Sequence, residues 1–151
     1  MKIALKYGLA ITAVLVAWIV IVRMLMGVGP DSRANVIGPI IFNLAMVIAI
    51  FLGLIRRKQE VGGDLSFKEG LKTGVGISLV YAASSCLFFM IQYFVSGPAL
   101  LLSEAGATDR PLWQTAVVAY IGLFFGSLIF GLIYSTVISF FLARRRSQAP
   151  S

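Results

Sequence analysis

Four long apolar runs constrain this chain more than any other feature. They lie at roughly residues 5–26, 34–55, 71–95 and 113–142. A bilayer's hydrocarbon layer is about 30 Å thick, so a helix rising about 1.5 Å per residue crosses it in roughly 20 residues. Each run is long enough, and a chain of 151 residues is too short to hide all four inside a soluble core. Charged residues make up 13%, against about 25% in soluble domains. The mean hydropathy is +0.94. The expected fold is all-α: a polytopic membrane protein with four transmembrane helices, residues 1–151 forming a single four-helix membrane domain.

The first run follows Lys2 and Lys6, as a secretory signal would. Its apolar stretch is too long for one, and no small-residue cleavage site follows. It reads as an uncleaved helix with Arg23 snorkelling at its far end. Gly27, Gly29, Pro30 and Asp31 break it. The second run carries Gly38-Pro39 in its first turns, where a proline costs little, and stops at Arg56-Arg57-Lys58. Residues 56–72 form a polar connector with a turn at Gly62-Gly63. Within it, Ser66-Phe67-Lys68-Glu69 fits a capping box, so the third helix is expected to begin ahead of its apolar run. Residues 98–104 could form a short helix lying in the interface, and residues 144–151 a disordered tail.

Basic residues fix the expected orientation. Ten of the thirteen fall on one side: Lys2, Lys6, Arg56, Arg57, Lys58, Lys68, Lys72 and the trio Arg144, Arg145 and Arg146. Arg23, Arg33 and Arg110 fall on the other. The expected arrangement has both termini cytoplasmic and the protein in the cell (inner) membrane. The clusters Arg56, Arg57, Lys58 and Arg144, Arg145, Arg146 are expected to meet anionic lipid. The net charge of +7 is accordingly assigned to membrane topology and not to nucleic acid.

The segment Gly63-Asp64-Leu65-Ser66-Phe67-Lys68-Glu69-Gly70-Leu71-Lys72-Thr73-Gly74 resembles a family pattern. So do the Leu5-Lys6-Tyr7-Gly8 start and the arginine-rich end. Together they resemble the bacterial domain-of-unknown-function family 4199, small proteins with four predicted membrane helices. The layout matches over nearly the whole chain. The third loop departs, since members often carry a longer, more charged segment there. The resemblance implies a fold and a compartment and no activity.

Small residues recur every four positions on the third helix, at Gly70, Gly74, Ser78, Ala82 and Cys86. Such a stripe lies on one face and lets helix backbones approach closely in lipid. The fourth helix carries Gly122 and Gly126, and also Ser127 with Gly131. The expected use is packing of helix three on helix four through Gly70, Gly74, Ser78, Ala82, Gly122 and Gly126, with homodimerisation or, last, a substrate pathway as the alternatives. The intramembrane polar residues Asn43 and Gln92 could bond each other across helices, with a polar lining for a small cavity as the alternative.

The absence of histidine and the single cysteine exclude histidine triads, histidine metal sites and internal disulfides. Cys86, with no basic neighbour in sequence, reads as inert. Trp18, Tyr93, Trp113 and Tyr120 read as lipid anchors or packing. No cofactor, metal or catalytic residue is expected. The first expectation is a non-enzymatic accessory or membrane-organising protein, partnered by the bilayer, by another membrane protein or by a second copy. The alternative is a passive transporter or channel formed by a homo-oligomer. A membrane enzyme using Glu60, Asp64 and Glu69 ranks last.

Overall fold

The computed structural model describes residues 2–25, 34–97 and 111–144. Within them the chain is helical, and four helices are long and apolar enough to cross a membrane. Helix α1 spans Lys2–Ile19 and runs on into a π-helical stretch, Val20–Leu25. Helix α2 spans Ala34–Glu60, α3 Phe67–Ser96 and α4 Leu112–Arg144. The expected break at Gly27–Asp31, the short interfacial helix at 98–104 and the tail beyond Arg144 lie outside the described residues, as do Arg33, Arg110, Arg145 and Arg146.

Two local differences from expectation have physical causes. Pro39 is the sixth residue of α2, beyond the four N–H groups that lack helical partners in any case. It therefore removes an interior hydrogen bond. Helix α2 also outlasts its apolar run, continuing through Arg56-Arg57-Lys58 to Glu60. Arg57 and Lys58 sit in its last turn, where positive charge favours the exposed carbonyls.

The cap at the start of α3 forms as the sequence reads. Ser66 is extended, at φ −72° and ψ 151°. The Glu69 amide donates to Ser66 Oγ at 3.3 Å, and the Ser66 amide donates to Glu69 Oε2 at 3.4 Å. The turn before it needs left-handed backbone at Gly62 (φ +74°) and Gly63 (φ +93°), which glycine adopts without a Cβ clash.

Contacts between helices give their directions. Gly8 meets Ile77 and Val80, and Thr12 meets Ser84, so α1 and α3 run parallel. Gly53 lies against Ile3 and Tyr7, and Gly38 against Trp18, so α1 and α2 are antiparallel. Lys58 Nζ donates to the carbonyl of Leu142 at 3.4 Å, bringing the ends of α2 and α4 together. The bundle is up-down-up-down, with Lys2, Lys6, Arg56, Arg57, Lys58, Lys68 and Lys72 at one end.

The apolar core is built from α1, α2 and α3. Ile11, Leu15, Ile50, Leu54 and Ile77 are fully buried. Among the described residues, α4 adds no large apolar side chain to that buried set. Its buried side chains are Thr115, Ser127, Ser135 and Ser139. Tyr134, Ile138 and Leu142 pack partly against the core, while Phe125, Ile129, Val137 and Phe141 point outward and are exposed.

Candidate functional site

The most extensive helix contact is that of α3 with α4, and its seam is made of small residues on both sides. A Cβ added to Gly70 would sit 2.5 Å from Ser139 Oγ. One added to Gly74 would collide with Ser135, and one added to Gly131 with Ser78. The pairs Gly70–Ser139, Gly74–Ser135 and Ser78–Gly131 step by four residues in opposite directions. The same step sets Ala82 opposite Ser127, and both are buried.

Hydroxyls in this seam turn back on their own helices. Ser78 Oγ donates to the Gly74 carbonyl at 3.0 Å, and Ser135 Oγ to the Gly131 carbonyl at 2.5 Å. That arrangement satisfies a buried hydroxyl without water. Ser85 Oγ and Ser139 Oγ are buried with no hydrogen-bond partner.

Gly122 and Gly126 lie elsewhere. A Cβ added to either would have no atom within 4 Å. The reason is helical phase: Gly126 precedes Ser127 by one residue, which turns it about 100° off the seam. The sequence carried the correct signal in Ser127, Gly131, Ser135 and Ser139, a four-residue ladder matching that of α3. Gly122 and Gly126 formed the more familiar spacing and drew attention from it. The small contact of α1 with α3 was also missed. A Cβ on Gly8 would sit 2.6 Å from Val80 Cβ and 2.8 Å from the Ile77 carbonyl oxygen. Four residues on, the Thr12 and Ser84 hydroxyls bond at 2.6 Å.

Gly122 and Gly126 instead flank a cleft of about 370 Å³ between α2 and α4, floored by α3 and α1. Asn43 lines it. Its Nδ2 donates to the Pro39 carbonyl at 2.8 Å, and its Oδ1 accepts from Tyr134 Oη at 2.8 Å. The cross-helix partner shown for Asn43 is thus Tyr134 on α4, where the sequence suggested Gln92. Gln92 is near the far end of α3. Every residue lining the cleft is uncharged.

At the basic end, Arg57 lies 3.4 Å from Glu60 and 3.8 Å from Glu69, tying α2 to the capped start of α3. Arg56 reaches Gln59 at 3.4 Å. Arg57 and Lys58 therefore serve the fold itself, while Arg56, Lys68 and Lys72 are exposed. Arg144 ends α4. Cys86 Sγ lies 3.9 Å from the Tyr120 carbonyl oxygen, between α3 and α4. Among the described residues, no group of three or more His, Cys, Asp or Glu is placed to hold a metal ion.

No curated protein and no solved structure matches this chain. A family model does, over residues 6–144, and it takes in all four helices. The chain therefore belongs to the family described as Protein of unknown function (DUF4199).

Proposed function

We propose that the chain is a multi-pass inner-membrane protein of bacterial type, with both termini cytoplasmic, that works without catalysis as an accessory or membrane-organising factor. One observation carries the membrane reading. Helix α4 buries serines and glycine and presents phenylalanine, isoleucine and valine outward. Only 11% of its most apolar window is buried, against 33% for each other helix. In water that polarity would be inside out, because burial of large apolar surface drives folding there. In hydrocarbon it costs nothing, and helices then associate through close small-residue contact. The basic end faces the cytoplasm under the positive-inside rule, with Arg56, Lys68 and Lys72 free to meet anionic lipid headgroups.

The accessory role is supported by how the span polar groups are used. Ser78, Ser84, Ser135 and Thr136 bond carbonyls of their own helices, and Asn43 bonds Tyr134. The four hydroxyls are satisfied within their own helices, and the Asn43–Tyr134 bond joins α2 to α4. Two fusions test the topology: a reporter after Ser151 and one inserted within residues 100–110. Opposite locations are expected, and identical locations refute the arrangement. Co-purification from native membranes tests the role, with a stable membrane-protein partner expected. The exposed faces of α4 favour one second reading, a passive homo-oligomeric pathway; ion flux from a purified oligomer in liposomes would replace the first reading by this one.

A further inference from the structure

We infer that the cleft between α2 and α4 is a binding site for an uncharged, lipid-soluble molecule with a flat ring and a carbonyl group, of the lipid quinone class. Its volume of about 370 Å³ falls within the roughly 300–1,000 Å³ of small-molecule sites. Aromatic side chains from three helices line it: Phe42, Tyr81, Phe89, Tyr120 and Phe130. Aromatic faces favour offset or edge contact with another ring. Gly122 and Gly126 keep the α4 wall flat, with open space where their Cβ atoms would be.

Asn43, Tyr81, Tyr120 and Ser127 are the polar side chains of the cleft, and the buried Tyr120 hydroxyl, which has no hydrogen-bond partner, and Asn43 can both orient the guest. The Asn43 side chain has two N–H donors. One goes to Pro39 and its oxygen takes the Tyr134 hydroxyl. The second N–H suits a carbonyl oxygen in the cleft. Charged ligands are disfavoured, since no lining residue carries charge to offset their desolvation. The cleft opens sideways between α2 and α4, with Pro39, Gly122 and Phe130 exposed at its mouth. A molecule dissolved in the bilayer reaches it without entering water.

Trp18 reports on this site. Its Nε1 lies 3.2 Å from where a Gly38 Cβ would be, and Pro39, the next residue, lines the cleft. The test uses the full chain with Trp113→Phe, in phosphatidylcholine nanodiscs, titrated with a decyl-substituted benzoquinone while Trp18 emission is followed. The inference expects saturable quenching at one quinone per protein. Gly126→Leu fills the cleft from a position with free space, so it should fold normally by circular dichroism and raise half-saturation at least about tenfold. Asn43→Leu should raise it about fivefold, as loss of one hydrogen bond does. Native mass spectrometry of the unsubstituted chain should retain one quinone. Linear quenching unaltered by Gly126→Leu would mean bilayer partition alone and would overturn the site. Saturable quenching unaltered by both substitutions would place the molecule elsewhere, and retention of phospholipid in place of quinone would identify a different occupant; either overturns it too.

Discussion

Helix α4 meets its neighbours in two opposite ways. Against α3 it forms a seam in which each side offers a glycine where the other offers a serine: Gly70 to Ser139, Gly74 to Ser135, Gly131 to Ser78. Against α2 it stands off, leaving a cleft bridged by the Asn43–Tyr134 hydrogen bond. Both faces of α4 carry small residues spaced by four, Gly122 and Gly126 on one and Ser127, Gly131, Ser135 and Ser139 on the other. The difference shows that spacing alone does not make a packing face. A close contact needs a complementary ladder on the partner at the same depth, and α2 supplies phenylalanine, asparagine and methionine there. Glycine opposite glycine-serine gives contact, and glycine opposite bulky side chains gives space.

The largest expected effect breaks the seam. Gly74→Leu drives a branched side chain into Ser135, and should destabilise by about 3 kcal/mol, the upper end for overpacking, seen as a marked fall in melting temperature in detergent. Ser66→Ala probes the end of the same seam, because the cap starts α3 four residues before Gly70. Its loss should cost about 0.5–2 kcal/mol. Hydrogen exchange over residues 66–72 should speed up while the rest of α3 stays protected. Tyr134→Phe removes the bridge beside the cleft. Hydrogen bonds between membrane helices average about 0.6 kcal/mol, so a small loss in the same melts is expected. Gly122→Leu should do least, within about 0.5 kcal/mol of the starting protein. If it proved as damaging as Gly74→Leu, α4 would be packed on the wrong face in this account.

The sequence made some of this legible and hid the rest for identifiable reasons. The four helices follow from length and apolarity, which need no partner to be recognised. The Ser66–Glu69 cap is equally local, since both hydrogen bonds lie within one turn. The α3 half of the seam was visible as Gly70, Gly74, Ser78 and Ala82, because a stripe belongs to one helix. The α4 half was not resolved, because choosing between Gly122-Gly126 and Ser127-Gly131-Ser135-Ser139 requires the rotation of α4 about its own axis. That rotation depends on what α3 presents along its whole length. Asn43's partner was hidden for a similar reason: Tyr134 is reached only once α2 and α4 are set side by side. The cleft is space between elements, so its place and shape were hidden, and only the polar residues of the spans, Asn43 among them, pointed to a small cavity. Helix α1's contact through Gly8 and Thr12 lay within an apolar run that reads simply as a span.

The seam is the centre of this account, and paired cysteines test it most directly. In a Cys86→Ser background, one protein carries Gly70→Cys with Ser139→Cys, and another Ala82→Cys with Gly126→Cys. A disulfide needs Cβ atoms about 3.5–4.5 Å apart. A Cβ on Gly70 would lie 2.9 Å from that of Ser139, close enough for slight relaxation to suffice, whereas a Cβ on Gly126 has no atom within 4 Å. Mild oxidation of intact membranes should crosslink the first pair rapidly and leave the second reduced. Crosslinking of the 82–126 pair at the faster rate would put Gly122 and Gly126 in the contact and contradict the seam described here.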